Sequence, residues 1–224
     1  MRKSFQLNQF IKKNTYLLIL IFVPTIYSQE YSVGIKAGAS YSFNDNGSEV
    51  IRNGVQYSAE SNLGYQGGGF LEINLGRWLV RPEVFLNKAR GEFEFAESTS
   101  VYSLEKLSVP LLLGYKIYEP LDIYAGPAYQ FILNKEMENT STLLSDDHSN
   151  FATQAGFKVS LNRFEIDLRY DFTFPSEDFQ RINFNGDPNQ SYFDEGRLNQ
   201  LMFSLNYKLF GSDIQPGRRG GNCY

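Results

Sequence analysis

Between Phe164 and Phe174 the chain alternates without a break. Phe164, Ile166, Leu168, Tyr170, Phe172 and Phe174 are apolar, while Glu165, Asp167, Arg169, Asp171 and Thr173 between them are polar. A period of two is the mark of a β-strand with unlike faces. It leaves open which face meets water. In a water-soluble sheet the apolar face is the core. In a sheet closed on itself inside a membrane, that face meets lipid and the charges point inward.

Segments of the same kind recur at 31–43, 63–75, 78–90, 104–117, 121–133, 151–161, 164–174 and 198–210. The first sets Tyr31, Val33, Ile35, Ala37, Ala39, Tyr41 and Phe43 against Ser32, Gly34, Lys36, Gly38, Ser40 and Ser42. The fourth sets Leu107, Val109, Leu111, Leu113, Tyr115 and Ile117 on one face. The connections alternate as well. Gly76-Arg77, Tyr118-Glu119-Pro120 and Asn162-Arg163 are tight, whereas 44–62, 91–103, 134–150 and 175–197 are long and polar. Segments of about 11 residues, even in number, with short turns at one end and long loops at the other, predict an all-β fold: an eight-stranded antiparallel transmembrane barrel. With the N-terminus in the periplasm, the turns are periplasmic and the four loops external. Aromatic residues gather at segment ends: Trp78, Tyr115, Phe164 and Tyr207 at the turn side, and Tyr41, Phe43, Tyr65, Phe131, Phe151 and Phe172 at the loop side. Two such girdles are what a bilayer selects.

The N-terminus strengthens this reading. Arg2, Lys3, Lys12 and Lys13 precede the apolar run "YLLILIFV" and then "PTIYSQE", the layout of a secretory signal peptide cut after Ser28. The expected division is a signal peptide at 1–28, a barrel at 29–210 and a flexible tail at 211–224. Removing 1–28 leaves 17 basic against 25 acidic residues, a net charge of −8. Nucleic acid would need a basic face and is not an expected partner. Cys223, alone in the chain, can form no internal disulfide. A secreted lipocalin-like barrel is the rival with the same strand count, and Gly76-Arg77-Trp78 fits its G-x-W pattern. That motif belongs near the start of a lipocalin, however, and girdles would have no reason there.

The runs "GYQGGGFLEINLGRWLVRPEVFLNKARGEF" and "LEKLSVPLLLGYKIYEPLDIYAGPAYQFIL", with the closing "FSLNYKLF", resemble the PorT-like outer-membrane β-barrel proteins of the Bacteroidota. The resemblance implies a small barrel of the OmpA/OmpX type in a Gram-negative cell envelope, linked to secretion or to another envelope complex. It implies no chemistry.

Candidate chemistry is sparse. Asp146-Asp147-His148-Ser149, in the third loop, is the cluster with catalytic residue types. A rim protease or lipid A-modifying enzyme could use it, but a general base needs neighbours in space rather than in sequence. Gly67-Gly68-Gly69 lies inside a strand, so it lacks the helix N-terminus of a phosphate loop. A single histidine and no cysteine cluster leave no zinc site. No cofactor and no catalytic or metal residue is expected. Arg218 and Arg219 read as part of a solvated tail. The expected partners are outer-membrane lipid and an envelope or secretion-complex protein, the barrel itself being monomeric. Phe179, Phe184, Tyr192 and Phe193 in the last loop are expected to pack over the barrel mouth, the alternative being a recognition surface.

The turns set the register. A two-residue turn at Gly76-Arg77 puts Glu72 opposite Arg81, and one at Asn162-Arg163 puts Lys158 opposite Asp167. A three-residue turn at Tyr118 to Pro120 puts Lys116 opposite Asp122. Glu72–Arg81, Lys158–Asp167 and Lys116–Asp122 are therefore expected as inward ion pairs in a lumen that side chains fill, with no pore.

Overall fold

The computed structural model describes residues 30–43, 49–95, 98–140, 150–175, 179–184, 191–194 and 197–212. The expected signal peptide, the cluster Asp146 to Ser149, and the tail with Arg218, Arg219 and Cys223 lie outside them. So do the side chains of Phe43 and Phe179.

The strands are β1 (Glu30–Phe43), β2 (Glu49–Arg52), β3 (Val55–Ser58), β4 (Glu60–Ser61), β5 (Leu63–Leu75), β6 (Trp78–Phe95) and β7 (Ser98–Tyr118). They continue with β8 (Leu121–Met137), β9 (Phe151–Leu161), β10 (Phe164–Thr173), β11 (Phe179–Ile182), β12 (Ser191–Asp194) and β13 (Asn199–Gly211). Eight of them, in the order β6-β5-β1-β13-β10-β9-β8-β7, form a continuous antiparallel sheet, and β7 pairs back onto β6. The sheet is thus an eight-stranded barrel without an open edge.

Burial runs inside out. Along β1, Tyr31, Val33, Ile35 and Tyr41 are exposed, while Ser32, Lys36, Ser40 and Ser42 are buried. In β10, Phe164, Ile166 and Tyr170 face outward, and Glu165, Asp167, Arg169 and Asp171 are buried. The apolar face is the outer one. Trp78 stacks edge-on against Tyr115 and Phe164 against Tyr207, each with ring centroids 5.0 Å apart, at the turn end. Tyr129 meets Phe151 at 5.2 Å towards the loop end.

Two turns follow the sequence count. Leu75 faces Trp78 and Leu161 faces Phe164. Gly76 (φ 67°) and Asn162 (φ 55°) supply the left-handed backbone with which each turn begins. The middle turn differs. Tyr118 pairs with Leu121, so the connection is Glu119-Pro120, and Lys116 still comes opposite Asp122 because Ile117 is bulged out of the ladder. A bulge, not a third turn residue, restores the parity.

The second long loop is also not a loop. Strands β6 and β7 run on through 91–103 to Phe95 and from Ser98, paired from Gly91–Tyr102 to Phe95–Ser98. The alternation continues, with its faces exchanged. Up to Leu86 the outward residues of β6 are apolar, and the inward ones are the apolar Leu79 and Phe85 and the charged Arg81 and Glu83; beyond it Lys88, Arg90, Glu92 and Glu94 point out while Ala89, Phe93 and Phe95 are buried. The outer surface therefore changes from apolar to charged just past Leu86. That line marks where lipid ends. From Trp78 to Leu86 is roughly nine residues, the length a tilted membrane strand needs. Leu111 lies midway between Tyr115 and Leu107 on β7, and its side chain is exposed to lipid. Leu111→Arg should destabilise the barrel by about 2–4 kcal/mol, while Glu94→Arg beyond the line should change stability by less than about 0.5 kcal/mol. Urea unfolding in lipid vesicles measures both.

Candidate functional site

Two features stand out. One is the charged interior of the barrel, the other a folded cap at its loop end.

The interior holds twelve buried charges among the described residues: Lys36, Arg81, Lys106, Lys158, Arg169 and Lys208 against Glu72, Glu83, Asp122, Glu165, Asp167 and Asp171. Six cations balance six anions, which a medium unable to solvate an excess charge requires. Arg81 is the hub. Its Nη1 lies 2.9 Å from Glu72 Oε2 and 2.6 Å from Glu165 Oε2, and its Nε 2.7 Å from Glu83 Oε1. Its guanidinium carbon sits 3.7 Å from the Phe70 ring centroid. Arg169 donates to Glu83 at 2.8 Å, Asp167 at 2.9 Å and Gln154 at 2.9 Å. Lys36 reaches Glu83 at 2.9 Å from β1. Towards the loop end, Lys106 pairs with Asp171 at 2.7 Å, and Asp171 also accepts from Gln130 and Gln154. Leu79, Phe85, Leu112, Tyr124 and Met202 are buried beside these groups.

Of the three sequence-derived pairs, Glu72 and Arg81 are joined directly. Lys158 and Asp167 are cross-strand partners, yet their side chains part. Lys158 goes to Glu72, to Glu165 at 2.8 Å and to Asp122 at 3.4 Å, while Asp167 is taken by Arg169 two residues along its own strand. Lys116 likewise faces Asp122 across the ladder and is only half buried, but the ion pair of Asp122 is with Lys158 on the other neighbouring strand. The correction has a physical reason. The Lys158 ammonium reaches both neighbouring strands, at Asp122 on β8 and Glu165 on β10, and also Glu72 on β5 across the bore, so one predicted partner among several carboxylates does not hold it. Lys36, Glu83, Lys106, Glu165, Arg169, Asp171 and Lys208 were legible by the same inward parity; only their partners were not. No group of three or more His, Cys, Asp or Glu residues among those described could hold a metal.

The cap is built from the loops. β11, β12, β2 and β3 form a four-stranded antiparallel sheet, in that order, joining the first long connection to the last. Tyr192 pairs with Ile51 and Phe193 with Val50. Beneath it Val50, Phe93, Phe95, Tyr102, Met137, Ile182, Phe184, Phe193 and Leu198 make one apolar cluster. Phe93, Tyr102 and Phe193 are 0–1 % exposed. Phe95 meets Phe184 at 5.0 Å and Tyr102 meets Phe193 at 5.2 Å, while Arg52 lies over both Phe95 (5.0 Å) and Phe184 (5.1 Å). Phe184 and Phe193 thus pack. Tyr192 is half buried beneath Arg181, whose guanidinium carbon is 5.9 Å from its ring.

The family model described as "Outer membrane protein beta-barrel domain" matches residues 27–207. The chain belongs to this family. As a member of it, the protein is an outer-membrane β-barrel surrounded by membrane lipid. No curated protein matches the sequence. Among solved structures, Ail, the attachment invasion locus protein of Yersinia pestis, in complex with the heparin analogue sucrose octasulfate, is 17% identical. It is matched over 81% of this chain and 99% of its own, with a TM-score of 0.39. Neisserial surface protein A is 11% identical over 80% of this chain and 97% of its own, with a TM-score of 0.38.

Proposed function

We propose that this outer-membrane barrel is a non-catalytic support that holds a folded external cap for adhesion or for docking within an envelope complex. The observation that carries this reading is the cap itself. A loop that merely joins two strands needs no core, whereas here chain from separate loops converges on the buried cluster of Phe93, Phe95, Tyr102, Phe184 and Phe193. Function concentrates in loops held by a rigid scaffold. The charge-balanced lumen supplies rigidity and leaves no path for solute. Resemblance to the PorT-like proteins supports docking in a secretion or other envelope complex.

The test has two arms. Whole cells carrying the protein should bind their partner, captured by tagging the barrel in native outer membrane, and lose it on Tyr192→Ser or Arg181→Ser with folding intact. Reconstituted in planar bilayers, the barrel should show no open-channel conductance; steady conductance would overturn the reading. Orientation is checked separately. Protease added to intact cells should cut within 134–150 or 175–197 and spare 76–77 and 162–163, and the reverse pattern would place the cap in the periplasm.

A further inference from the structure

Three ring strands contain proline, and they are neighbours. Pro82 lies on β6, Pro110 on β7 and Pro127 on β8, while β1, β5, β9, β10 and β13 have none. A paired strand is a costly place for proline, which has no N–H to give to the ladder. The pairing breaks at each of the three. It is interrupted between Phe70–Glu83 and Ile73–Val80 on β5–β6, between Pro82–Leu111 and Phe85–Ser108 on β6–β7, and between Pro110–Ala128 and Leu113–Ala125 on β7–β8. The register is the same on both sides of each break, so Leu71 faces Pro82, Glu83 faces Pro110 and Leu111 faces Pro127. Bonded pairs alternate along an antiparallel ladder. Counted from Lys116, whose N–H donates to the Arg77 carbonyl, Glu83–Pro110 is a pair that should exchange two bonds. Leu71–Pro82 has the same phase counted from the tight turn at Leu75–Trp78, and Leu111–Pro127 has it counted from Gln130, whose N–H turns away from β7 to Asn150. The carbonyls of Leu71, Glu83 and Leu111 therefore lack their ladder donors. Pro82 also pairs with Leu111, so the three sites cross β5, β6, β7 and β8 in two adjoining rows, in the middle of the lipid band. Lipid offers no donor in place of the missing ones.

We propose that this line is a compliant seam, the place where the wall yields first, and that Arg81 is the latch that holds β5 to β6 across it. Local opening occurs where few hydrogen bonds resist it, and here three successive strand interfaces each lack one at the same level. Arg81 stands immediately before Pro82 on the inward side. Its Nη1 reaches Glu72 of β5 at 2.9 Å, in the row beside the missing rung, and its Nε holds Glu83, just past Pro82, at 2.7 Å. A side-chain bridge thus spans the first gap where the backbone does not. The barrel can widen between β5 and β8 while β9, β10, β13 and β1 keep their pairing. The seam is independent of what the cap binds.

Amide hydrogen exchange of the full barrel in detergent micelles, read residue by residue by NMR, tests this. The amides of Leu71, Glu83 and Leu111 should exchange at least about tenfold faster than those of Asp167 and Ser204, a pair of the opposite wall. Pro127 faces lipid, and Pro127→Ala returns an N–H to the Leu111 carbonyl without touching the lumen. It should slow exchange at Leu111 about tenfold, the worth of one hydrogen bond, and leave Asp167 and Ser204 unchanged. Arg81→Met should quicken Leu71 at least about tenfold more than Ser204. If Arg81→Met does not fold, the wild-type comparison and Pro127→Ala decide on the seam, and Arg81→Lys, which keeps the charge but not the fork, replaces it as the test of the latch. Exchange at Leu71, Glu83 and Leu111 as slow as at Asp167 and Ser204 would overturn the seam, as would a Pro127→Ala barrel with unaltered exchange at Leu111. Equal quickening of Leu71 and Ser204 by the Arg81 variant would overturn the latch.

Discussion

Replacing Arg81 by methionine should cost the barrel about 3–5 kcal/mol, because it removes one partner of a buried network and leaves the others charged. Arg81 joins Glu72, Glu83 and Glu165, which come from three different strands of the ring. Without it Glu83 keeps Lys36 and Arg169, and Glu72 and Glu165 keep Lys158, but the balance of six against six becomes five against six. Arg81→Lys should restore part of the loss. It returns the charge, but a single ammonium cannot reproduce the fork that binds three carboxylates at once. Urea unfolding in micelles, followed by the difference in gel mobility between heated and unheated protein, measures the effect. An Arg81→Met barrel that unfolds at the wild-type urea concentration would show that apolar packing of Phe70, Leu79 and Phe85, rather than the ion network, holds the lumen.

Phe193→Ala should open the cap and leave the barrel closed. Phe193 is 1 % exposed and touches the rings of both Phe93 and Tyr102. Truncating so buried a ring costs about 3–5 kcal/mol. The loss falls on the cap because β12 pairs only with β11 and β2, not with a strand of the ring. Limited proteolysis should therefore cut within 179–194 at least about tenfold faster in the variant than in the wild type. The fluorescence of Trp78, the one tryptophan of the chain, reports the opposite end and should not change. If Trp78 responds together with the cleavage, cap and barrel unfold as one unit and the proposal of a separable platform fails. If neither changes, the aromatic cluster is not what holds the cap.

Much of the barrel could be read from one face of one strand. The alternation in 164–174 does not by itself tell lipid from core, but the short–long rhythm of the connections and the girdles do. All eight ring strands fall where the pattern puts them, with ends shifted by one residue in β1, β7 at its turn end, β10 and β13, and by four at the loop end of β8, which runs to Met137. The larger error is instructive. The pattern ends the third segment at 90 and begins the fourth at 104, a few residues beyond Leu86 and Leu107, where the outward residues stop being apolar. The strands pass that point unbroken, because a ladder continues as long as either face finds burial, and beyond the lipid the inward face finds it in Phe93, Phe95, Tyr102 and Leu104.

The cap was visible only as an anomaly, the aromatic residues of 175–197. Four-residue strands give too few alternations to be read, and the pairing of Val50 with Phe193 joins positions separated by most of the chain. The cluster of Asp146, Asp147, His148 and Ser149 lies outside the described residues and carries no role in the functions proposed. Local sequence determined strand identity, the inward or outward sense of each side chain and the parity across each tight turn, because a period of two and a two-residue turn are nearest-neighbour properties. Tertiary structure decided which charges meet and how the loops fold. Once the ring closes, a side chain as long as Lys158 or Arg81 answers to strands across the lumen as well as to those beside it.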